Sequence, residues 1–404
     1  MVNGNEQHPD DYIAVVGRGM QPTHVRQTNQ RAILSVISLQ PGVTNAELSR
    51  LTKLAPQTVS AVLTSLEETH LITRGEVRRG KRGQPATPVY MNPTGAFTVG
   101  AEIGWNHIEV CLVGIGAVTV SRYRREYDYP DASTVFDELK RAVGEVTSGM
   151  STAERLRLTG LGLAAPGGIG DNSSLIPPPP GQDALWAGID IAEAAARATG
   201  LDVTLINDGN AACWAERVAH PIPRPVSFAF LLIDTFVAAG IVAENRLWEG
   251  VTGASANLGS MLVADRKGGS HFVHEIASLH ALGRRLAERG LELARVYEDS
   301  PDPLVREVLD GWIEDAAFAL AQTALNTATV LEYDVAIIES VLPPAVTQRV
   351  VDATRRHVDA FPSLGRVTPK VIAGHLGRSG AAEGAALLRM YRRFFSRDLA
   401  HMDS

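Results

Sequence analysis

Two helix patterns sit almost end to end between Thr44 and Leu66, and that close spacing admits few folds. Thr44 and Glu47 have the spacing of a capping box, in which a hydroxyl and a carboxylate each satisfy the other residue's backbone N–H. Leu48 and Leu51 then face inward, and the small Ser49 lets a second helix cross closely. Ala55-Pro56 opens that second helix, because the first helical position does not need the N–H that proline lacks. Val59, Val62, Leu63 and Leu66 recur at i, i+3, i+4 and i+7 and predict its buried stripe. The opposite face carries the short, mostly polar Gln57, Ser60, Ala61 and Thr64. Asn29 to Leu39, with Ile33, Leu34 and Ile37 in helical register, supplies a supporting helix in front.

A basic hairpin follows. Arg74, Arg78, Arg79, Lys81 and Arg82 stand against one acid, Glu76, while Gly80 and Gly83 permit a tight turn and Thr87 to Met91 returns as a strand. A helix pair followed by such a hairpin is a winged helix-turn-helix. Its second helix reads base edges in the major groove, and its hairpin contacts phosphates or the minor groove. The residues expected to contact duplex DNA are Thr44, Gln57, Thr58, Ser60, Ala61, Thr64, Arg78, Arg79, Lys81, Arg82 and Gln84. Lys53 holds the turn position where glycine is usual, and Ala55 replaces a capping serine; neither breaks the pattern.

Charge follows the same division. Residues 1–92 hold ten Lys and Arg against seven Asp and Glu, a net of +3, which leaves −10 for the rest of a chain whose net charge is −7. A basic head on an acidic body suits nucleic-acid binding by the head alone. With 404 residues the chain has room for two or three domains. No uninterrupted apolar run approaches the ~18 residues of a membrane span. Met1 to Pro22 is polar and reads as a disordered tail rather than a secretory signal. Cys111 and Cys213 cannot form a disulfide framework and read as buried thiols, so a cytoplasmic location is expected.

Beyond the head the pattern is α/β and occurs twice. Phe97–Gly104, His107–Gly114 and Val118–Tyr127 are strand-like, Ser133–Thr147 is helical, and Leu158–Ala164 is a buried strand. Ile191–Thr199 predicts a helix and Val203–Ile206 a strand. After the prolines at 221, 223 and 225 a second strand set begins: Val226–Ile233, Ala238–Val242 and Arg246–Trp248. Leu282–Ala294 and Trp312–Leu331 predict long helices, and Val335–Ile338 and Lys370–Ala373 short strands. Two similar halves with a cleft between them is the simplest architecture.

Taken together, these segments resemble the ROK family (repressors, open reading frames and sugar kinases), in its transcriptional-regulator branch, over about residues 24 to 395. Thr23 to Leu34 resembles the family's lead-in helix and Gly83-Gln-Pro85 its Gly-Arg-Pro wing. Asn207-Asp-Gly-Asn-Ala-Ala212 resembles its Asn-Asp-Ala-Asn-Ala-Ala segment, which bears a sugar-binding Asn and a catalytic Asp. Gly253 to Met261 stands where the family has Gly-Ala-x-Gly-Glu-x-Gly-His-Met, and Gly384-Ala-Ala386 resembles its C-terminal Gly-Ala-Ala. The resemblance implies a bilobal actin-like ATPase body, a duplicated ribonuclease H-like fold. It also implies a homodimer or tetramer whose affinity for a DNA operator is set by a small ligand in the cleft. The domains expected are a tail at 1–22, a winged helix-turn-helix at 23–92, a first α/β lobe at 93–222 and a second at 223–404.

The departures from the kinase branch bear most on function. The first phosphate loop of the family reads Asp-x-Gly-Gly-Thr; here Glu102-Ile-Gly-Trp-Asn106 puts Trp105 where a polyanion needs small residues. The second reads Gly-Thr-Gly-x-Gly; here Asp234-Thr-Phe-Val-Ala-Ala-Gly240 offers an acid and Phe236. The adenosine-side Gly-Gly pair is replaced by Glu339-Ser340. The family's zinc run of one His and three Cys is lost, since no cysteine lies beyond Cys213. His271, His274 and Glu275 form a His-x-x-His-Glu cluster nearby, read as a loop or surface helix without metal. The resemblance implies an effector pocket of Asn207, Asp208, Asn257 (family Glu), Ser260 (family His) and Glu275. Asp208 reads as a ligand-orienting acceptor, or else as the cap of the helix that follows Asn207. The chain is therefore expected to be a DNA-binding transcriptional regulator, a repressor, that responds to a sugar or sugar derivative without phosphorylating it. No cofactor is expected. The alternatives are a dimerisation scaffold that binds no sugar, or an active carbohydrate kinase fused to a DNA-binding head.

Overall fold

The computed structural model describes residues 22–77, 87–171, 175–253, 256–300, 302–362, 365 and 367–395. The described residues up to Asn92, with Phe394 and Phe395, form one compact unit, and Pro93 to Arg393 form the other.

In the first unit, α1 (Pro22–Leu39), α2 (Asn45–Thr52) and α3 (Pro56–Glu68) precede an antiparallel pair, β1 (Ile72–Arg74) and β2 (Val89–Met91), with Ile72 opposite Met91. α1 begins at Pro22 rather than at Asn29. Its first turns lack apolar periodicity and were given only by the likeness of Thr23 to Leu34 to the family's lead-in helix; no Gly or Pro interrupts the helix after Pro22. Its stripe of Ile33, Leu34 and Ile37 packs on Leu48 of α2 and on Val59, Val62, Leu63 and Leu66 of α3, and Phe394 and Phe395 pack against this cluster.

The second unit contains two five-stranded sheets built to one plan. In the first, β3 (Phe97–Ile103), β4 (His107–Gly114) and β5 (Thr119–Glu126) form an antiparallel meander, and β6 (Leu158–Ala165) and β7 (Val203–Asn207) add in parallel on the far side of β3. The strand order is β5-β4-β3-β6-β7. Between them run α4 (Val135–Val146) and α5 (Ile191–Thr199), whose apolar faces cover the sheet. After β7 comes α6 (Asp208–Ala219). The second sheet then repeats the order as β10-β9-β8-β13-β14, from β8 (Phe228–Ile233), β9 (Val237–Ala243), β10 (Arg246–Leu247), β13 (Val335–Ser340) and β14 (Lys370–Ala373). Its first pairings are again antiparallel and its last two parallel.

Between β10 and β13 lie a small ribbon of β11 (Leu262–Ala264) and β12 (Ser270–Phe272), then α7 (Leu279–Ala287) and α8 (Pro303–Leu331). The helix expected over Leu282–Ala294 ends at Ala287. Gly290 adopts a left-handed φ of 71° and breaks it, and Leu293–Tyr297 forms a separate 3-10 turn. α8 starts earlier than Trp312, because Asp302 caps it by accepting the Leu304 N–H at 2.8 Å and Pro303 takes the first turn. α9 (Pro344–Ala360) and α10 (Gly380–Phe394) complete the unit.

The two sheets meet across α6 and α10. Ala211, Ala212, Cys213 and Trp214 of α6 share a core with Ala164 and Ile206 of the first sheet, Phe228 and Phe230 of the second, and Ala381, Ala385 and Leu388 of α10. The close approach depends on small residues: a Cβ added at Gly384 would lie 1.8 Å from the Ala211 carbonyl oxygen. Cys111 and Cys213 are both free and buried. Among the described residues, no helix is long and apolar enough to cross a membrane.

Candidate functional site

The head holds its second helix by short-range hydrogen bonds. Glu47 Oε2 accepts from the Thr44 N–H at 2.8 Å, and Thr44 Oγ1 accepts from the Glu47 N–H at 3.4 Å, completing the capping box. Lys53 takes the left-handed conformation at φ 56°, where glycine would be unstrained. Ser49 does more than leave room: its hydroxyl donates to the Leu54 carbonyl at 2.6 Å and ties α2 to the turn. On α3, Gln57, Ser60, Ala61 and Thr64 are exposed, Thr58 is half-buried, and Thr44 is half-buried at the head of α2. Ser60 is already engaged, accepting from Asn45 Nδ2 at 2.8 Å and donating to the Pro56 carbonyl at 3.0 Å. Arg50 and Lys53 are exposed beside the turn and add positive charge that the sequence reading had not assigned to DNA. Arg78, Arg79, Lys81, Arg82 and Gln84 lie outside the described residues.

The body contains a cavity of about 510 Å³ between its two sheets. It is lined from the first lobe by the β3–β4 hairpin, and by Asn207 and Asp208 at the start of α6. From the second lobe come the β8–β9 hairpin and the Asn257–Ser260 turn. Asn207 caps α6, its Oδ1 accepting from the Asn210 N–H at 3.2 Å. The cap is thus Asn207 and not Asp208. Asp208 Oδ1 instead accepts from Asn207 Nδ2 at 3.0 Å and from the Gly209 N–H at 2.8 Å. Where the family has Ala, this chain has Gly209, and a Cβ there would lie 2.2 Å from the Ala239 carbonyl oxygen.

Of the expected effector residues, Asn207, Asp208, Asn257 and Ser260 all line the cavity; Glu275 does not. Its carboxylate turns back to accept the Phe272 N–H at 2.8 Å, and the preceding residue, His274, lines the cavity instead. His271 pairs with Asp265 at 3.4 Å, while His274 Nδ1 accepts the Val237 N–H at 3.1 Å, so the two histidines serve different partners. Burial pushes the His274 pKa down to about 4, only partly countered by Glu275. The ring is therefore neutral, with its proton on Nε2 as a donor.

Apart from histidine, the ionisable groups of the lining are acidic. Glu102, Asp171, Asp208 and Asp234 face the cavity, and no Lys or Arg does so among the described residues. Burial, reinforced by the Glu102 charge, pushes Asp208 up to about 7. Burial also raises Asp234, with His107 opposing and Glu102 adding to the shift. For His107 burial favours the neutral ring, but the Glu102 carboxylate 3.3 Å away outweighs it and holds the pKa above the usual value. His107 and Asp171 had no signal in the sequence, since one opens a strand and the other follows a glycine-rich turn.

The three segments that resemble nucleotide-binding elements are filled. Trp105 is buried and stands edge-on to Phe236, with ring centres 5.1 Å apart. Phe236 also abuts the rings of His274 and His280. Glu339 is buried at the end of β13, its carboxylate accepting the Ser340 N–H at 2.9 Å and the Leu376 N–H at 3.1 Å.

Comparison with known proteins agrees with this geometry. Residues 98–391 match the ROK family and residues 19–83 the MarR family. The chain is 27% identical over 382 residues to y4fQ, an uncharacterized protein of Sinorhizobium fredii, covering 92% of this chain and 93% of that one. It is 24% identical over 245 residues to the xylose repressor of Bacillus subtilis, spanning 60% of this chain and 62% of the repressor. Among solved structures, a ROK family transcriptional regulator homologous to the MLC protein of E. coli aligns with a TM-score of 0.66 at 18% identity, over 94% of this chain and 100% of that one. At that identity the likeness is one of fold. With the repeated strand order of its two sheets, a winged-helix head, and a family match over most of its length, the chain belongs to the ROK family.

Proposed function

We propose that this protein is a transcriptional repressor that reads a duplex DNA operator through the exposed face of α3 and the basic hairpin after it. Its body senses an unphosphorylated sugar or sugar derivative and does not phosphorylate it. The observation that carries this reading is the composition of the cavity. Two aromatic rings occupy the segments that resemble phosphate loops, and the polar lining is acidic and amide-rich with no Lys or Arg among the described residues. A sugar phosphate or ATP would bring its charge against Glu102 and Asp234, a repulsion that grows in a low-dielectric site. A neutral polyol, or one bearing an amine, meets acceptors on Asp208 and Glu102 and both donors and acceptors on Asn207 and Asn257.

In this reading Asp208 orients a hydroxyl and transfers no proton to a phosphoryl acceptor. The head of a homo-oligomer, dimer or tetramer, presents two α3 helices to the half-sites of a palindromic operator, and ligand in the cavity shifts the population of the binding-competent state. The relatives named as repressors support the regulatory role, and the filled loops support the absence of catalysis.

The test is a thermal-shift panel on the full chain with neutral sugars, amino sugars, polyols, sugar phosphates and ATP with magnesium. A ligand at ~100 times its dissociation constant adds about 2.7 kcal/mol of stability. The expected result is a hit among unphosphorylated sugars that also changes operator affinity, with no response to ATP. Turnover of ATP in the presence of a sugar would overturn the reading. Operator binding indifferent to every sugar would leave the body as a scaffold.

A further inference from the structure

At the other end of α6 from the cavity lies a cluster that none of the foregoing uses. Glu216 and His220 stand four residues apart, so their side chains share one face of the last turn of α6. His375, just past β14, comes against them from across the sheet. Glu216 Oε1 lies 2.7 Å from His375 Nδ1 and 3.4 Å from His220 Nδ1, and one ligand atom from each residue falls within 4.8 Å of the others. The Glu216 side chain is 0% exposed, while that of His375 is 41% exposed and opens the cluster to solvent.

We propose that Glu216, His220 and His375 form a binding site for a divalent transition-metal ion such as Zn²⁺. Two imidazoles and a carboxylate are the donors that such ions take, with an open position left for water. Zinc bonds of about 2.0–2.2 Å in tetrahedral geometry set their donor atoms roughly 3.3 Å apart. Of the two pairs that share Glu216 Oε1, the 3.4 Å one already has that spacing and the 2.7 Å one opens by about 0.6 Å. The second carboxylate oxygen of Glu216 is fixed by the His375 N–H at 2.9 Å, the kind of outer-shell contact that orients a ligand.

Two further observations point to a cation. The site sits at the C-terminal end of a 12-residue helix, where positive charge is favoured. A second buried carboxylate, Glu339, approaches the same space: an atom added at Gly374 would lie 2.8 Å from Glu339 Oε2 and 3.3 Å from Glu216 Oε2. Two buried carboxylates reaching toward the same space favour a cation there. Among the described residues neither cysteine belongs to the group of ligand atoms that Glu216, His220 and His375 bring together.

The test is titration of chelator-treated full-length protein with Co²⁺, following its visible d–d absorption, and then displacement by Zn²⁺ with metal content measured by mass spectrometry. One ion per chain is expected. His375→Ala and His220→Ala should each weaken binding by more than the ~10–100-fold that outer-shell changes typically cost. His271→Ala should bind as the wild type does. Glu216→Gln tests the carboxylate at constant shape, and the exposed position of His375 keeps the comparison informative if a buried variant fails to fold. Binding equally tight in wild type and His375→Ala, or lost in His271→Ala, would overturn the proposal.

Discussion

Trp105 meets Phe236 edge to face, with ring centres 5.1 Å apart and planes at 90°. The two residues come from hairpins in different lobes, β3–β4 and β8–β9, and each stands in a segment that in the sugar kinases of the family is expected to wrap phosphate. Their contact puts apolar surface where a polyanion would need backbone N–H groups and space, and it ties the lobes along the cavity wall.

The ring pair should be energetically coupled. Trp105→Ala is expected to cost about 3–5 kcal/mol as a buried aromatic truncation, and the half-buried Phe236→Ala less. The double variant should fall short of their sum by ~0.5–1.5 kcal/mol, the worth of an aromatic pair beyond its buried area. Urea unfolding of the four proteins measures this, and strictly additive losses would mean the rings do not support each other.

Asp208 should make stability depend on pH in a particular direction. Its folded pKa of about 7 lies above the ordinary carboxylate value near 3.9, so its contribution is full below that value and is lost as pH rises through about 7. Asp208→Asn should therefore melt higher than wild type at pH 8, by on the order of 1 kcal/mol or a few degrees, with little gain at pH 4. The same change should weaken the sugar response. Equal melting points at pH 8 would show that the carboxylate is better solvated than its burial implies.

Gly209 sets the approach of α6 to β9. Gly209→Ala restores the residue usual in the family but drives a methyl group into the Ala239 backbone, 2.2 Å from its carbonyl oxygen. Overpacking of this kind costs typically ~1–3 kcal/mol, against the small gain that Ala brings inside a helix. A calorimetric melting point at or above that of wild type would show that β9 yields at no cost.

The head should divide its work between helix and hairpin. Replacing Arg78, Arg79, Lys81 and Arg82 by Ala should flatten the salt dependence of operator binding by about 0.9 in log–log slope for each residue that contacts a phosphate. Gln57→Ala should instead change which operator is preferred. Fluorescence anisotropy over a salt series reads both, and an unchanged slope would remove the hairpin from the interface.

The helix pair of the head was legible where its signals are local. Thr44 and Glu47 cap each other as their spacing says, and the stripe from Val59 to Leu66 is buried as its period says. What escaped was the bond from Asn45 to Ser60, which exists only because α2 and α3 cross. The body's repeated plan could be read from its strand runs, but its cavity could not. Glu102, His107, Asp171, Asn207, Asp234 and His274 come from separate segments, and only the packing of two sheets brings them together. Of the residues that motif register assigns to the effector, Asn207 and Asp208 lie on the cavity wall. Glu275 does not, because a one-residue offset at a helix start turns His274 inward in its place.

The repeated strand order has a consequence for how this chain could change. The β3–β4 and β8–β9 hairpins are equivalent corners of the two copies, so Trp105 and Phe236 are the same feature seen twice. Removing either ring takes from the other its packing partner in the opposite lobe. Opening this corner to a phosphate therefore means replacing a ring in each copy, with packing lost at each step. The internal symmetry of the fold thus doubles the change needed to open this corner.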